Sequence, residues 1–386
     1  MIGERIRQAR MLAGLTQEQV ATALTRAGFS ATKAVISKYE NNKSTPSASM
    51  LLEMSRLFDV QSSYFLYEPQ IEIEWLAYRK HSVLPAKTQE MVKDYALDAA
   101  LLHLELRNLL YPDQSYNFPE STNVFAPDEA ESVAQNLRVA WKLGDLPIEN
   151  LTQTAEENGV VVIAWNRDVG QFDGLSGWCN GDIPVTVVNT GVDVDRRRFN
   201  LAHELGHLLM RTAEEQSEPL AHRFAGALLV PAEIAFRELG RKRSSITLAE
   251  LGTLKRRYGL SIQGWIFRAT DLGIITRHFA TSLWREINQR GWKKSEPFAY
   301  IADEEPVLLD QMLLRAVSEG LITVDYVRQI LPNFNFEEPV VEPSQFPTPM
   351  ELLAMSVEER EKWMDRSFDL GAQEDFEVFE AFGEEE

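Results

Sequence analysis

Two histidines and a glutamate in the run His203-Glu204-Leu205-Gly206-His207 have the types and spacing for hydrolytic chemistry. Residues four apart share one face of a helix, so the two imidazoles can share one ion while the carboxylate between them reaches a water on it. Leu201, Leu205, Leu208 and Leu209 supply the apolar stripe that such a helix needs, with Asn200 near its cap. A catalytic metal wants a third protein ligand and one open position. The expected third ligand is Glu218, at the start of a second helix that tolerates Pro219 in its first turn and ends at Pro231. Glu214, Glu215 and His222 are its rivals. Otherwise His222, one turn past Glu218, is expected to hydrogen-bond a ligand histidine from outside and fix its tautomer.

A single cysteine, Cys179, excludes a thiolate-rich site and an intramolecular disulfide framework. Two imidazoles and a carboxylate suit Zn2+, and the same donors also accommodate Mn2+. Zinc lowers the pKa of a bound water from about 15.7 to about 7, and Glu204 is placed to take the proton as general base for attack on a peptide carbonyl. No residue is assigned to the developing oxyanion. His81, His103 and His278 are read as structural.

The elements that must position this helix can be read around it. The β-branched run 160–165 predicts a buried strand, Ile183–Asn189 a second, and residues 173–178 a turn with a short strand between them. Helices are expected near 129–143 and 148–158 before the sheet. Further helical units are expected over 247–276 and 308–331. Residues 70–111 read as one or two long helices acting as a spacer, and the proline-bounded stretch 112–127 as a linker.

Upstream, Ile6, Ala9 and Leu12 repeat at helical spacing and Gly14 breaks the run. Thr16 and Gln19 form a capping box for a second helix. A third helix is expected over 32–40, with Val35, Ile36 and Tyr39 inward, and a fourth over 47–58. The expected fold is multidomain and mainly α: a five-helix N-terminal domain (1–68), a helical spacer and linker (69–124), an α+β metallopeptidase domain with a small sheet (125–240), helical C-terminal units (241–335) and an acidic, partly disordered tail (336–386).

The net charge of −19 argues against a polyanionic partner until its distribution is considered. Residues 1–65 carry eight Lys/Arg against five Asp/Glu, whereas 335–386 carry sixteen acidic residues against three basic. The N-terminal module is therefore the candidate for binding DNA. No run of about twenty apolar residues occurs, and MIGERIRQAR is charged where a signal peptide would be apolar. A cytoplasmic protein with no membrane segment is expected.

Two resemblances sharpen these readings. The block Arg198-Phe199-Asn200-Leu201-Ala202-His203-Glu204-Leu205-Gly206-His207, followed by Glu218-x-x-Ala221-His222-Arg223-Phe224-Ala225 and Leu228-Leu229-Val230-Pro231, resembles the ImmA/IrrE family of zinc metallopeptidases over roughly residues 125–300. Gly174-Leu175-Ser176-Gly177-Trp178 and Gly291-Trp292-Lys293-Lys294-Ser295-Glu296-Pro297 are also similar to it. Asn200 stands where the family usually has Thr, and the stretch between His207 and Glu218 is short. The resemblance implies that His203, His207 and Glu218 hold zinc and that Glu204 is the base. It also implies a protein substrate of the helix-turn-helix repressor kind, whose cleavage releases stress-response or mobile-element genes.

Residues 4–66 resemble the Cro/repressor-like, or xenobiotic-response-element, helix-turn-helix family, through Gly14-Leu15-Thr16-Gln17-Glu18-Gln19-Val20-Ala21 and Ile36-Ser37-Lys38-Tyr39-Glu40-Asn41-Asn42-Lys43. About five extra residues separate the second and third helices. In this motif the third helix enters the major groove of a double-stranded operator while the amide end of the second meets phosphate. That nominates Gln17 for the backbone, Thr32, Lys33 and Ser37 for base edges, and Lys38 and Asn42 near phosphate. A homodimer reading two half-sites would compensate for the mild charge. Competing readings are a DNA-binding or antitoxin-like regulator whose zinc domain is a sensor or scaffold, and a peptidase that uses the N-terminal module to recognise substrate.

Overall fold

Several helices in this chain begin where the sequence offers a side-chain oxygen. Thr16, Thr32 and Ser47 accept backbone N–H groups at the starts of α2 (Gln17–Arg26), α3 (Lys33–Glu40) and α4 (Ala48–Phe58). Asn150 does the same for α7 (Leu151–Glu157) and Thr247 for α11 (Leu248–Tyr258). Each such cap is worth about 1 kcal/mol. The computed structural model describes residues 2–66, 71–76, 85–114, 116, 118–166, 172–331 and 356. The chain divides into two units, Met1–Phe334 and Asn335–Glu386, and the architecture below is that of the first. The expected tail and the reading of His81 lie outside the described residues, Ser356 aside.

In the N-terminal region α1 (Ile2–Leu12) joins α2, α3 and α4 around Ile6, Ala9, Val20, Leu24, Ile36, Met54 and Phe58. Among the described residues the five expected helices are four α-helices and one 3-10 helix. The chain closes that core with a 3-10 turn, Ser62–Leu66, which inserts Tyr64 and Phe65. Buried ion pairs set the helix positions: Arg10 to Glu40 at 2.5 Å between α1 and α3, and Arg5 to Asp98 at 2.6 Å between α1 and α5 (Ala86–Leu110).

A four-stranded sheet in the order β1-β4-β5-β3 forms the second core. Its strands are β1 (Ile73–Trp75), β3 (Val161–Trp165), β4 (Gly174–Cys179) and β5 (Ile183–Asn189). β3 runs parallel to β5, whereas β4 is antiparallel to β5 and to β1. Both faces are covered. Val161, Ile163, Trp165, Val185 and Val187 pack toward α5 and α14 (Leu308–Ser318), while Val162 and Val188 face the helices that carry the site. Alternation with a period of two thus buries apolar residues in both directions.

Three expectations are corrected. Residues 73–75 are a strand, not part of a helical spacer: Ile73 and Trp75 pack inward and Glu74 faces solvent, the period of a strand. The stretch read as a linker contributes β2 (Thr122–Asn123), paired in parallel with β6 (Met210–Arg211), and packs Phe118 against Trp141 and Trp178. The second site helix, α9 (Glu214–Leu229), starts before Ser217, so Pro219 lies inside it and not in its first turn. Among the described residues no helix is long and apolar enough to cross a membrane.

Candidate functional site

The site lies between α8 (Val194–Leu209), α9 (Glu214–Leu229) and β4. Leu201, Ala202, Leu205, Leu208 and Leu209 bury one side of α8, as the leucine stripe requires. Close approach of the helices depends on Gly206, where an added Cβ would fall 3.0 Å from the Phe224 ring. Asn200 is not at the helix start. Its amide donates instead to Asp173 just before β4, at 3.2 Å to the carbonyl, and ties α8 to the sheet.

His203 and His207 converge, with Nε2 atoms 3.0 Å apart. Glu218 brings Oε2 to 3.3 Å from His203 Nε2 and Oε1 to 3.5 Å from His207 Nε2. Ligands about 2.0–2.2 Å from a tetrahedral ion lie about 3.3–3.5 Å from one another, so the three donors fit one metal with little movement. Ser217 Oγ lies 3.2 Å from His207 Nδ1 and can orient that ring. His203 Nδ1 is buried without a hydrogen-bond partner.

His222 sits differently from its expected role. It makes no hydrogen bond to either histidine; its ring lies 4.6 Å from that of His203 and stacks on Phe199. Ligand atoms of His203, Glu218 and His222 all come within 4.8 Å of one another, so His222 is a further donor on the open side of the cluster. The tighter spacings favour His203, His207 and Glu218 as the primary set.

Charge follows this geometry. Hydrogen bonds from His203 and His207 hold the Glu218 carboxyl well below the usual carboxylate range. Burial opposes protonation of His207, but its bond to Glu218 and the nearby Glu204 outweigh that and raise its pKa. Burial, reinforced by His203, pushes His222 down to about 4.

Glu204 is 5% exposed, and its Oε2 accepts a 2.6 Å hydrogen bond from Ser176 Oγ on β4. Gly174, two residues earlier on that strand, leaves room for the carboxylate; a Cβ there would lie 3.0 Å from Oε1. Sequence reading placed Ser176 within the stretch 174–178 but gave it no role. Its signal was the period of two: residues 174 and 176 occupy the same face of β4.

In the N-terminal region Thr32, Lys33 and Lys38 are exposed on α3 and Ser37 is half-buried. Thr32 also caps α3 by accepting from Val35 N–H at 3.3 Å. Gln17 and Asn42 are engaged within the fold. Gln17 Nε2 donates to Glu40 at 2.7 Å, and Asn42 Oδ1 accepts from Gly3 N–H at 2.9 Å. Away from the site, Tyr258 donates to Glu238 at 2.7 Å, and His103, read as structural, is buried, and burial holds its pKa down to about 3.

Comparison with protein families yields two matches, to the IrrE N-terminal-like domain over residues 155–270 and to a helix-turn-helix family over residues 6–65. No curated protein matches the chain. The first match contains α8, α9 and β4, and the second contains most of α1 and all of α2 to α4. The chain therefore joins an N-terminal helix-turn-helix domain of the xenobiotic-response-element type to a peptidase-family domain of the ImmA/IrrE kind.

Proposed function

We propose that this chain is a DNA-binding transcriptional regulator whose second domain is a zinc-dependent endopeptidase acting on a regulatory protein, a helix-turn-helix repressor being the substrate class. The observation that carries the reading is the convergence of His203, His207 and Glu218 beside a glutamate held in place by Ser176. When bound, zinc supplies Lewis acidity and acidifies water. Glu204 takes the proton at its carboxylate and returns it to the leaving amine, the usual work of a positioned base. Ser176 fixes the direction of that carboxylate, and the low exposure of Glu204 limits competing bulk water. The region α1 to α4 presents Thr32, Lys33 and Lys38 to a double-stranded operator, as a dimer on two half-sites, in the cytoplasm.

A second reading has its own support. His222 offers a fourth donor near the same ions' position, and a closed four-ligand shell is the mark of a structural or sensing site. Incubating the zinc-loaded chain with helix-turn-helix repressors encoded nearby, and with itself, separates the two. Discrete fragments that disappear on chelation support the peptidase; stable zinc binding with no fragments under any condition supports the sensor or scaffold.

A further inference from the structure

The strand that completes the sheet beside the metal centre comes from neither matched stretch. β1 belongs to residues 71–76, after the helix-turn-helix match ends at 65 and before the peptidase match begins at 155. It lies antiparallel on β4, with Ile73 opposite Cys179, Glu74 opposite Trp178 and Trp75 opposite Gly177. The ladder continues at both ends: Asn180 N–H donates to the Glu72 carbonyl, and Leu76 N–H to the Ser176 carbonyl, each at 2.9 Å.

Ser176 therefore touches two things at once. Its backbone carbonyl is taken by β1 and its hydroxyl holds Glu204. A polypeptide whose scissile carbonyl is to reach Glu204 and the metal donors must lie extended across this place, and an exposed strand edge is what gives an extended peptide its backbone hydrogen bonds. That edge of β4 is occupied by the chain itself. β1 also runs from Cys179 toward Ser176, the direction that leads to Glu204.

The fit of β1 is shaped but short. Gly177 admits it, since a Cβ at that position would fall 2.6 Å from the Glu74 carbonyl oxygen. Only three residues make up the strand; Glu74 is exposed and Ile73 and Trp75 are half-buried. Such a short ladder is suited to exchange, whereas β5 on the other side of β4 pairs along the whole strand, from Gly174 to Cys179.

We propose that the β1-facing edge of β4 is the docking edge for an extended polypeptide with apolar side chains at alternate positions, and that residues 72–76 occupy it as an internal competitor. This rests on the peptidase reading above. Substrate binds by displacing β1 from Gly177 and Trp178, taking over the places of Ile73 and Trp75. Apparent affinity is then reduced by the fraction of molecules in which the edge is open.

The test uses the full chain, zinc-loaded and carrying Glu204→Gln so that nothing is cut, with fluorescently labelled β-casein as an unfolded probe. Glu74→Pro is added because alternation along the ladder points the Glu74 N–H at β4, and proline cannot donate there. Binding should tighten about tenfold, with faster amide exchange at Trp178 and unchanged zinc content. Trp75→Ser, which weakens packing without altering the backbone, should act in the same direction and replaces Glu74→Pro if that variant loses its zinc. Unchanged or weaker binding in the variant that keeps its zinc overturns the proposal. Cleavage by the Glu204-intact chain is measured separately: cleavage without a binding gain removes the docking edge alone, whereas a binding gain without cleavage at any zinc load removes the peptidase reading.

Discussion

The cluster of His203, His207 and Glu218 and the helix-turn-helix face use their polar groups in opposite ways. In the cluster, His203, His207 and Glu218 direct their atoms at one point, and the buried His203 Nδ1 is left without a partner. On the helix-turn-helix face, Gln17, Thr32 and Asn42 give their side chains to Glu40, Val35 and Gly3. Polar groups that point at each other across two elements and satisfy nothing else await a ligand. Groups that complete a cap or a buried ion pair also hold the fold together, and among the described residues of α3 Lys33 and Lys38 are the exposed cations.

That contrast can be broken by substitution. The largest effect should come from His207→Ala, which removes one of three converging donors. Loss of an outer partner alone costs about 10–100-fold in metal affinity, so more than about hundredfold is expected here, read by competition with a chelating dye. Next, Ser176→Ala should lower cleavage about tenfold or more with metal content unchanged, since a hydrogen bond to a charged group contributes about 1.5–3 kcal/mol. An unaltered rate would mean that Glu204 needs no positioning from β4.

Smaller effects sharpen the other side of the comparison. Lys38→Ala should weaken operator binding several-fold and reduce the salt slope by about 1, the signature of one phosphate contact. Asn42→Ala should leave that slope alone and lower folding stability by about 1 kcal/mol, because it removes the acceptor at the start of α1. The same salt-slope change in both variants would return Asn42 to the DNA face.

What the sequence made legible follows the same division. The HExxH helix was readable because i, i+4 spacing within one helix fixes which side chains meet. Glu218 was approachable because α9 follows directly and Gly206 lets it come close. Strands β3 and β5 announced themselves through β-branched runs. β1 did not: three residues are too few to establish a period, and its partner β4 lies about a hundred residues away in sequence. Ser176 and the placement of His222 were hidden for a related reason, since both depend on how separate elements pack. Gln17 and Asn42 matched the helix-turn-helix pattern, but pattern alone does not reveal that Glu40 and Gly3 take up their polar atoms.

The central claim concerns Glu204, a buried carboxylate set beside converging metal donors. Its direct test is the cleavage rate of the wild type and of Glu204→Gln at equal, measured zinc content against one repressor that the wild type cuts. Loss of a general base predicts a fall of about 10²–10⁴-fold with zinc fully retained. A variant that keeps its zinc and cuts as fast as the wild type would contradict the account.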